Sequence, residues 1–264
     1  MTEERTRGEV KIEAFGLSDR GLRRHHNEDS YLLREDLGLA MVADGMGGHA
    51  AGEVASDLAV KEVERIVDTS RSFDDATWPE HWDRRISANA NRLMSAVLSA
   101  HRSVTGAVEG NLGLRGMGAT VVATLLDSAT GTLTIAHVGD SRAYTFRDGE
   151  LVLLTSDHSW VHEQVIAGLL TEDAARNHPL KNVVTRALGG AQEPLVDVRE
   201  EPTRPGDVVL LCSDGLNTML EDGEIEDCLQ RERVLSTAAN ELVLEANRRG
   251  GVDNVTVILI RVVS

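Results

Sequence analysis

Cysteine is almost absent from this chain: Cys212 and Cys228 are its only two, and no Cys-x-x-Cys pair occurs. Two cysteines so placed are more typical of buried thiols than of a disulfide framework or a zinc site. This scarcity favours a reducing, cytoplasmic compartment. Aromatic residues make up only 3% of the chain, so a hydrophobic core must be built mainly from Leu, Val, Ile and Ala.

Long apolar runs and basic stripes are also missing. No run approaches the roughly 18 apolar residues of a membrane span, and the N-terminal sequence MTEERTRGEVK has no apolar signal core. Lys and Arg number 27 against 43 Asp and Glu, which gives a formal net charge of −16. That charge repels nucleic acid and anionic membranes, so we expect neither nucleic-acid binding nor membrane insertion. A phosphorylated substrate would require local positive charge, for which bound divalent cations are the obvious source.

The domain organisation follows from length and from the lack of linkers. The chain has 264 residues and contains no internal repeat, low-complexity tract or Pro/Ser-rich linker. This length fits one hydrophobic core. We predict a flexible N-terminal tail over residues 1–10 and a single domain over residues 11–264.

Short β-rich runs bounded by Gly, Asp or Asn predict six strands. They are Leu39–Ala43, Ala119–Leu126, Thr132–Val138, Arg142–Arg147, Val208–Cys212 and Val255–Val263. Apolar positions that recur every three or four residues predict four helices. These are Ala51–Val67, Arg84–Val108, Asp157–Leu170 and Val234–Arg248. Because the order lacks a regular βαβα alternation, it favours antiparallel sheets with segregated helices, an α+β fold.

Aspartates stand where apolar strands end. Asp44, Asp140 and Asp214 each follow an apolar run and precede a small residue, and Asp253 stands just before the last strand. Strand ends aim carboxylates from rigid positions, and hard cations such as Mg²⁺ and Mn²⁺ take oxygen ligands. Gly45 has no Cβ, so its backbone can approach a cation closely. For any one aspartate taken alone, a turn or cap role is the alternative, because Asp-Gly is also a common turn dipeptide.

Eight motifs in a single order resemble the metal-dependent protein phosphatases of type 2C, in particular their bacterial Ser/Thr phosphatase branch. They are Gly21-x-x-Arg24-x-x-Asn27-Glu28-Asp29, Val42-Ala-Asp44-Gly45-Met46-Gly47-Gly48-His49, Gly116-Met117-Gly118-Ala119-Thr120, Val138-Gly139-Asp140-Ser141-Arg142-Ala143-Tyr144, Thr155-x-Asp157-His158-Ser159, Thr185-Arg186-Ala187-Leu188-Gly189, Cys212-Ser213-Asp214-Gly215-Leu216 and Asp253-Asn254-Val255-Thr256. One such motif is weak support; eight in order are strong.

The resemblance implies a β-sandwich of two antiparallel sheets flanked by helices (α-β-β-α), with a metal site in a cleft at one end. It implies hydrolysis of phosphoserine and phosphothreonine esters by a hydroxide bridging two divalent cations, without a phosphoenzyme. Two or three Mn²⁺ or Mg²⁺ ions are expected as cofactors. Phosphorylated proteins are the expected substrates, an opposing bacterial Ser/Thr kinase the expected partner, and a monomer the expected state.

The resemblance also assigns residues to the metal site. Asp44 would bridge the two main cations, and Gly45 would add its backbone carbonyl to one of them. Asp214 and Asp253 would hold the other cation, and Asp140 with Asp214 would support a third, weaker one. The remaining residues would stand behind these ligands and orient water molecules; they are Glu28, Asp29 and Asn254. A turn role is the alternative for Asn254.

Three further features are expected near the site. Arg24 matches the phosphate-binding arginine of the family, since a guanidinium binds phosphate with two parallel hydrogen bonds; a solvated surface role is the alternative. His49 is a candidate general acid, because Met46 stands where eukaryotic members have a histidine. It could equally cap the helix near Ala51, with metal-bound water as the acid instead. Residues 157–190 resemble the bacterial flap beside the cleft, for which an ordinary helical hairpin is the alternative.

Two other functions compete with the phosphatase. A catalytically silent phosphoprotein-binding module on the same fold would be expected to lose acidic motif positions, and none is lost. A two-metal nuclease is disfavoured by the acidic balance and the missing basic stripe.

Overall fold

Two antiparallel sheets dominate the computed structural model, which describes residues 10–47, 51–72 and 82–263. The strands are β1 (Lys11–Asp19), β2 (Asp29–Arg34), β3 (Leu39–Met46), β4 (Gly118–Asp127), β5 (Thr132–Val138), β6 (Arg142–Arg147), β7 (Glu150–Leu153), β8 (Asp197–Pro202), β9 (Val208–Cys212) and β10 (Val255–Val263). Sheet A has the order β1-β10-β9-β6-β7, and sheet B has the order β2-β3-β4-β5-β8.

The described residues form seven α-helices. They are α1 (Ala51–Thr69), α2 (Ala88–Gly110), α3 (Trp160–Ile166), α4 (Glu172–Arg176), α5 (Asp214–Asn217), α6 (Asp222–Arg231) and α7 (Leu235–Arg248). Val63 of α1 and Leu93 of α2 pack with Met41 of sheet B. Ile225 of α6 and Leu242 of α7 pack with sheet A.

A third layer of side chains joins the two sheets. Val42 of sheet B packs with Leu211 and Ile258 of sheet A, while the neighbouring Met41 faces the helices. Strand β3 is therefore buried on both faces, which explains its continuous apolar sequence. The predicted α-β-β-α sandwich is confirmed.

Several element bounds differ from the sequence prediction. The second long helix begins at Ala88 rather than Arg84, because the Ser87 side chain caps it by accepting a hydrogen bond from the Ala90 N–H. The helix predicted over Asp157–Leu170 is only Trp160–Ile166, capped by Ser159. Residues Asp148 and Gly149 form the turn of a hairpin that joins β6 to β7.

Near the N-terminus, residues 1–9 of the predicted tail lie outside the described residues. Val10, also predicted as tail, donates its backbone N–H to the Ser128 carbonyl at 2.8 Å. Among the described residues, no helix is both long and apolar enough to span a membrane.

Core packing on sheet A predicts a large difference between two leucines of α7. Leu242 is fully buried, whereas Leu244 is 57% exposed. Leu242→Ala should lower the free energy of unfolding by about 2–5 kcal/mol through lost burial and the cavity it leaves. Leu244→Ala, the matched control, should change it by no more than about 0.5 kcal/mol. Chemical denaturation measures both, and equal losses would contradict this packing.

Candidate metal centre

The aspartates that end or begin strands meet at one end of the sandwich. Asp29 of β2 lies directly opposite Asp44 of β3 in the sheet register. Asp140 stands in the short connection from β5 to β6, and Asp214 begins α5 directly after β9. Asp253 lies two residues before β10. Both sheets therefore contribute carboxylates to one place.

Asp44 lies in the middle of this acidic group. Burial raises the pKa of Asp44 well above its usual range, and the nearby charges of Asp29, Asp214, Asp140 and Asp253 add to the rise. Each of these carboxylates favours the protonated form of Asp44, because like charges at short range repel. The group is thus unfavourable as a set of free anions and is suited to bind cations.

Asp140 and Asp214 show the same effect. Burial, then the charge of Asp214, raises the pKa of Asp140 to about 8. Burial and the charge of Asp253 raise the pKa of Asp214 to about 6, and a hydrogen bond with Asp44 opposes the rise. These two aspartates also line a cavity of about 600 Å³ that extends beneath residues of the flap-like segment.

Asp29 is held by hydroxyl groups of sheet A. Its Oδ2 accepts hydrogen bonds from Ser213 at 2.8 Å and from Thr256 at 2.6 Å. Burial nevertheless raises the pKa of Asp29 to about 7. Its second oxygen, Oδ1, is buried without a hydrogen-bond partner, which leaves that atom available to a bound water or ion.

Glu28 stands beside the group and shows a similar pattern. Burial raises the pKa of Glu28, while the charge of Arg24 opposes the rise. The Oε1 atom of Glu28 is buried without a partner, as is the Oδ1 atom of Asp214.

The surroundings of these atoms fit hard divalent cations. Three buried carboxylate oxygens have no hydrogen-bond partner, and such atoms are costly to bury alone. They therefore indicate a site for a positively charged ligand. A Cβ at Gly45 would lie 2.1 Å from the Gly52 carbonyl oxygen and 2.6 Å from that of Glu28, so only glycine fits there. All the donors are oxygen atoms, which suits Mg²⁺ or Mn²⁺ rather than a soft metal.

Arg24 is paired with a predicted ligand. Its Nη2 donates to Asp253 Oδ2 at 2.6 Å, and 48% of the Arg24 side chain is exposed. The guanidinium therefore lies at the rim of the acidic group, within reach of anything bound there. Arg24 is thus both solvent-exposed and paired with Asp253, and its phosphate-binding role stays a prediction.

Asn254 holds the loop that carries Arg24 and Glu28. Its Oδ1 accepts the Glu28 backbone N–H at 2.8 Å. Its Nδ2 donates to the carbonyl oxygens of Arg20 and His26, both at 2.9 Å. The backbone N–H of Asn254 donates in turn to Asp253 Oδ1 at 2.8 Å. The amide thus fixes one side of the centre.

Of the remaining predicted site features, one lies outside the described residues and the other within them. His49, the candidate general acid, lies outside the described residues, as does Gly48. The flap-like segment 157–190 is described, and its short helices α3 and α4 lie beside the cavity.

Several polar residues around the centre were not assigned roles from the sequence. Ser213 and Thr256 stand in two of the motifs, but their contact with Asp29 joins residues 184 and 227 positions apart. The hydroxyl groups of Thr120 and Ser141 form a hydrogen bond of 2.7 Å beside Asp140. All four residues stand within the family motifs, but the motifs alone did not indicate which group each hydroxyl contacts.

Comparison with known protein families shows to which family this chain belongs. The profile described as "Protein phosphatase 2C" matches residues 23–245, most of the chain. The chain belongs to this family. It is a protein serine/threonine phosphatase, as the named relatives at about 40% identity also indicate.

Relatives and solved structures resemble this phosphatase over nearly its full length. The serine/threonine phosphatase Stp of Listeria welshimeri is 40% identical over 246 residues, covering 92% of this chain and 93% of that protein. The crystal structure of the Mycobacterium tuberculosis phosphatase PstP/Ppp has a TM-score of 0.82 and 38% identity, covering 97% and 100% of the two chains. A PstP catalytic domain solved in complex with two manganese ions has a TM-score of 0.81 and 37% identity, with the same coverage.

The raised carboxyl pKa values predict how stability depends on pH without metal. Asp140 and Asp214 have pKa values of about 8 and 6, above the roughly 3.9 of an unfolded aspartate. The folded phosphatase therefore holds more protons than the unfolded chain between about pH 4 and 8, so its free energy of unfolding should fall as pH rises through this range.

Asp140→Asn removes one contributor to this loss. In EDTA the stability of the variant relative to the wild type should rise between pH 4 and pH 8, by on the order of 1 kcal/mol or more. Chemical denaturation at the two pH values measures this difference. Asp57→Asn, at an exposed aspartate of α1, is the control. A variant whose relative stability does not rise with pH would show that Asp140 carries no electrostatic cost.

Proposed function

We propose that this phosphatase hydrolyses phosphoserine and phosphothreonine esters by direct attack of activated water at a centre of two divalent cations, Mn²⁺ or Mg²⁺, with a third weaker ion. The observation that carries the proposal is the meeting of Asp44, Asp214 and Asp253, beside buried carboxylate oxygens that have no hydrogen-bond partner. When bound, two cations supply an activated water and neutralise the charge of the phosphoryl group.

The proposed ligands are those that the motifs indicated. Asp44 would bridge both main cations because it lies among the other carboxylates. Gly45 would add its carbonyl oxygen, and Asp214 with Asp253 would hold the second cation. The charge of Asp214 raises the pKa of Asp140, so the two carboxylates lie close together. This proximity supports a weaker third cation site shared by both.

Arg24 would hold the phosphoryl oxygens of the substrate. In this arrangement its guanidinium is paired with Asp253. Asp253, when it holds a cation, would release the guanidinium, and Arg24 could then bind phosphate with two parallel hydrogen bonds. Metal binding would thus prepare the phosphate site.

The cavity beside the centre supports a protein substrate. Its wall includes Ser159, Val161 and Lys181 of the flap-like segment together with Asp140 and Asp214. A phosphorylated side chain at the aspartates would place its neighbouring residues along this wall. The cavity volume of about 600 Å³ lies within the range of volumes that ligand-binding pockets have in proteins.

Partner and assembly are inferred more broadly. The bacterial branch commonly opposes Hanks-type Ser/Thr kinases, so we expect the substrates to be targets of such a kinase. We also propose a monomer, since every proposed ligand comes from one chain and the centre needs no second copy.

Loss of a central aspartate should abolish activity. Asp44→Asn and Asp214→Asn should each reduce metal-dependent phosphate release from a phosphothreonine peptide by at least about 100-fold, because the centre loses a ligand. Asp57→Asn should behave like the wild type. Retained activity in folded variants, or wild-type activity in EDTA, would contradict the mechanism; an inactive wild type with either metal would favour the silent binding module.

Substitution of Arg24 should weaken substrate binding more than the chemical step. Arg24→Ala should raise KM for the phosphopeptide about tenfold or more, since a charge-assisted hydrogen bond contributes roughly 1.5–3 kcal/mol. Arg23→Ala, at the exposed neighbouring arginine, is the matched control. Equal KM values for Arg24→Ala and Arg23→Ala would remove Arg24 from the phosphate site.

A further inference from the structure

A cluster of three polar side chains lies at the base of the flap-like segment. His137 of β5 is directly opposite Asp197 of β8 in the sheet register. His158 stacks on His137 with ring centroids 4.6 Å apart. Potential ligand atoms of these three residues lie within 4.8 Å of one another, and both histidines are buried.

Hydrogen bonding argues against a metal ion in this cluster. The Gly139 backbone N–H donates to His158 Nδ1 at 3.0 Å, so the proton of the neutral ring is on Nε2. That atom lies 3.2 Å from Asp197 Oδ2, to which it donates. Arg186 Nη1 lies 3.1 Å from Asp197 Oδ1 and 3.1 Å from His158 Nε2. Because both nitrogens carry protons, both donate to the Asp197 carboxylate rather than to each other. A cation would therefore meet a protonated nitrogen and a guanidinium, and the ring is instead fixed as a hydrogen-bond bridge.

His158 holds both polar groups of Gly139. In addition to accepting the Gly139 N–H, it donates its own backbone N–H to the Gly139 carbonyl at 2.9 Å. Gly139 has φ +112°, and a Cβ there would lie 2.4 Å from Thr120 Cβ. The peptide directly before Asp140 is thus confined between Thr120 and His158.

The same histidine joins the two ends of the flap-like segment. Its carbonyl accepts the Thr185 N–H at 2.8 Å, and the Trp160 N–H donates to Val183 at 2.8 Å. Arg186, one residue further, reaches Asp197. The start and the end of the segment therefore form one hydrogen-bonded base, and His158 connects that base to Gly139.

We propose that His158 is a positioning residue that fixes the Asp140 carboxylate through Gly139, so that the weak cation site at Asp140 and Asp214 depends on a closed flap base. This inference rests on the proposed function, because it assumes that Asp140 binds a cation. It assigns His158 no contact with substrate. It makes the flap base a support of the metal centre as well as a wall of the cavity.

Two substitutions separate the two hydrogen bonds of the ring. Asn places an acceptor oxygen at the δ position, where it can keep the Gly139 bond and lose the Asp197 bond. Gln places its amide at the ε position, where it can keep the Asp197 bond and lose the Gly139 bond. His158→Gln should therefore disturb Asp140, and His158→Asn should rescue it.

The first readout is Mn²⁺ binding by titration calorimetry without substrate, with Asp140→Asn defining the signal of the weak site. His158→Gln should weaken that site about 10–100-fold, the usual cost of losing support behind a ligand. His158→Asn should stay within about threefold of the wild type. Equal affinities for His158→Gln and wild type, or equal losses in both substitutions, would overturn the proposal.

A matched control exists at the other end of the segment. His101 is also buried, and its Nδ1 accepts the Gly189 N–H at 3.2 Å. His101→Gln loses the same kind of bond without touching Gly139, so weak-site affinity should not change. If His101→Gln weakens the site as much as His158→Gln, general destabilisation rather than positioning explains the effect, and the proposal fails.

The outcomes also separate this inference from the proposed function. A wild type that binds no Mn²⁺ would overturn the metal mechanism itself. Normal wild-type binding, lost weak-site binding in Asp140→Asn and an unchanged His158→Gln would overturn only the role of His158.

A second measurement needs no substitution. Nitrogen-15 NMR of the His158 ring in the metal-free wild type should show the proton on Nε2 and a bare Nδ1 coupled to the Gly139 amide. A ring protonated on Nδ1 would refute the proposed bridge even if His158→Gln did not fold.

Discussion

Repulsion among carboxylates gathered at one end of the sandwich is the constraint on which the rest of the site depends. Asp29, Asp44, Asp140 and Asp214 all have raised pKa values, and burial followed by neighbouring negative charge is the common cause. A fold that keeps such a group must gain something that offsets its cost. Divalent cations bound by this group would provide that gain, and they would also explain how a chain of net charge −16 attracts a phosphorylated substrate.

Polar side chains beside strands of sheet A support this group. Ser213 and Thr256 hold Asp29 from sheet A, and Asn254 holds the loop that carries Glu28. If Asp253 binds a cation and Arg24 binds phosphate, as proposed, their ion pair would link the two binding events, because the Asp253 carboxylate would leave Arg24 when it binds the cation.

The sequence predicted those parts of the fold whose signal is local. Strands β5, β6, β9 and β10 have the predicted bounds because their apolar runs end at Gly, Asp or Asn. Strands β1, β2, β7 and β8 were not predicted, since they carry charged residues and are only partly buried. The aspartates were found from their place at strand ends. Their hydroxyl partners and the His158–Asp197 contact were not, because these contacts join residues far apart in sequence and arise only when the sheets pack.

The most direct test of the account is anomalous diffraction at the manganese edge from crystals grown with Mn²⁺. The account predicts two manganese ions about 3.5–4 Å apart, with Asp44 between them and Asp214 and Asp253 on one of them. A single ion, or ions bound away from Asp44, would contradict the claim that these carboxylates exist to hold a two-cation centre.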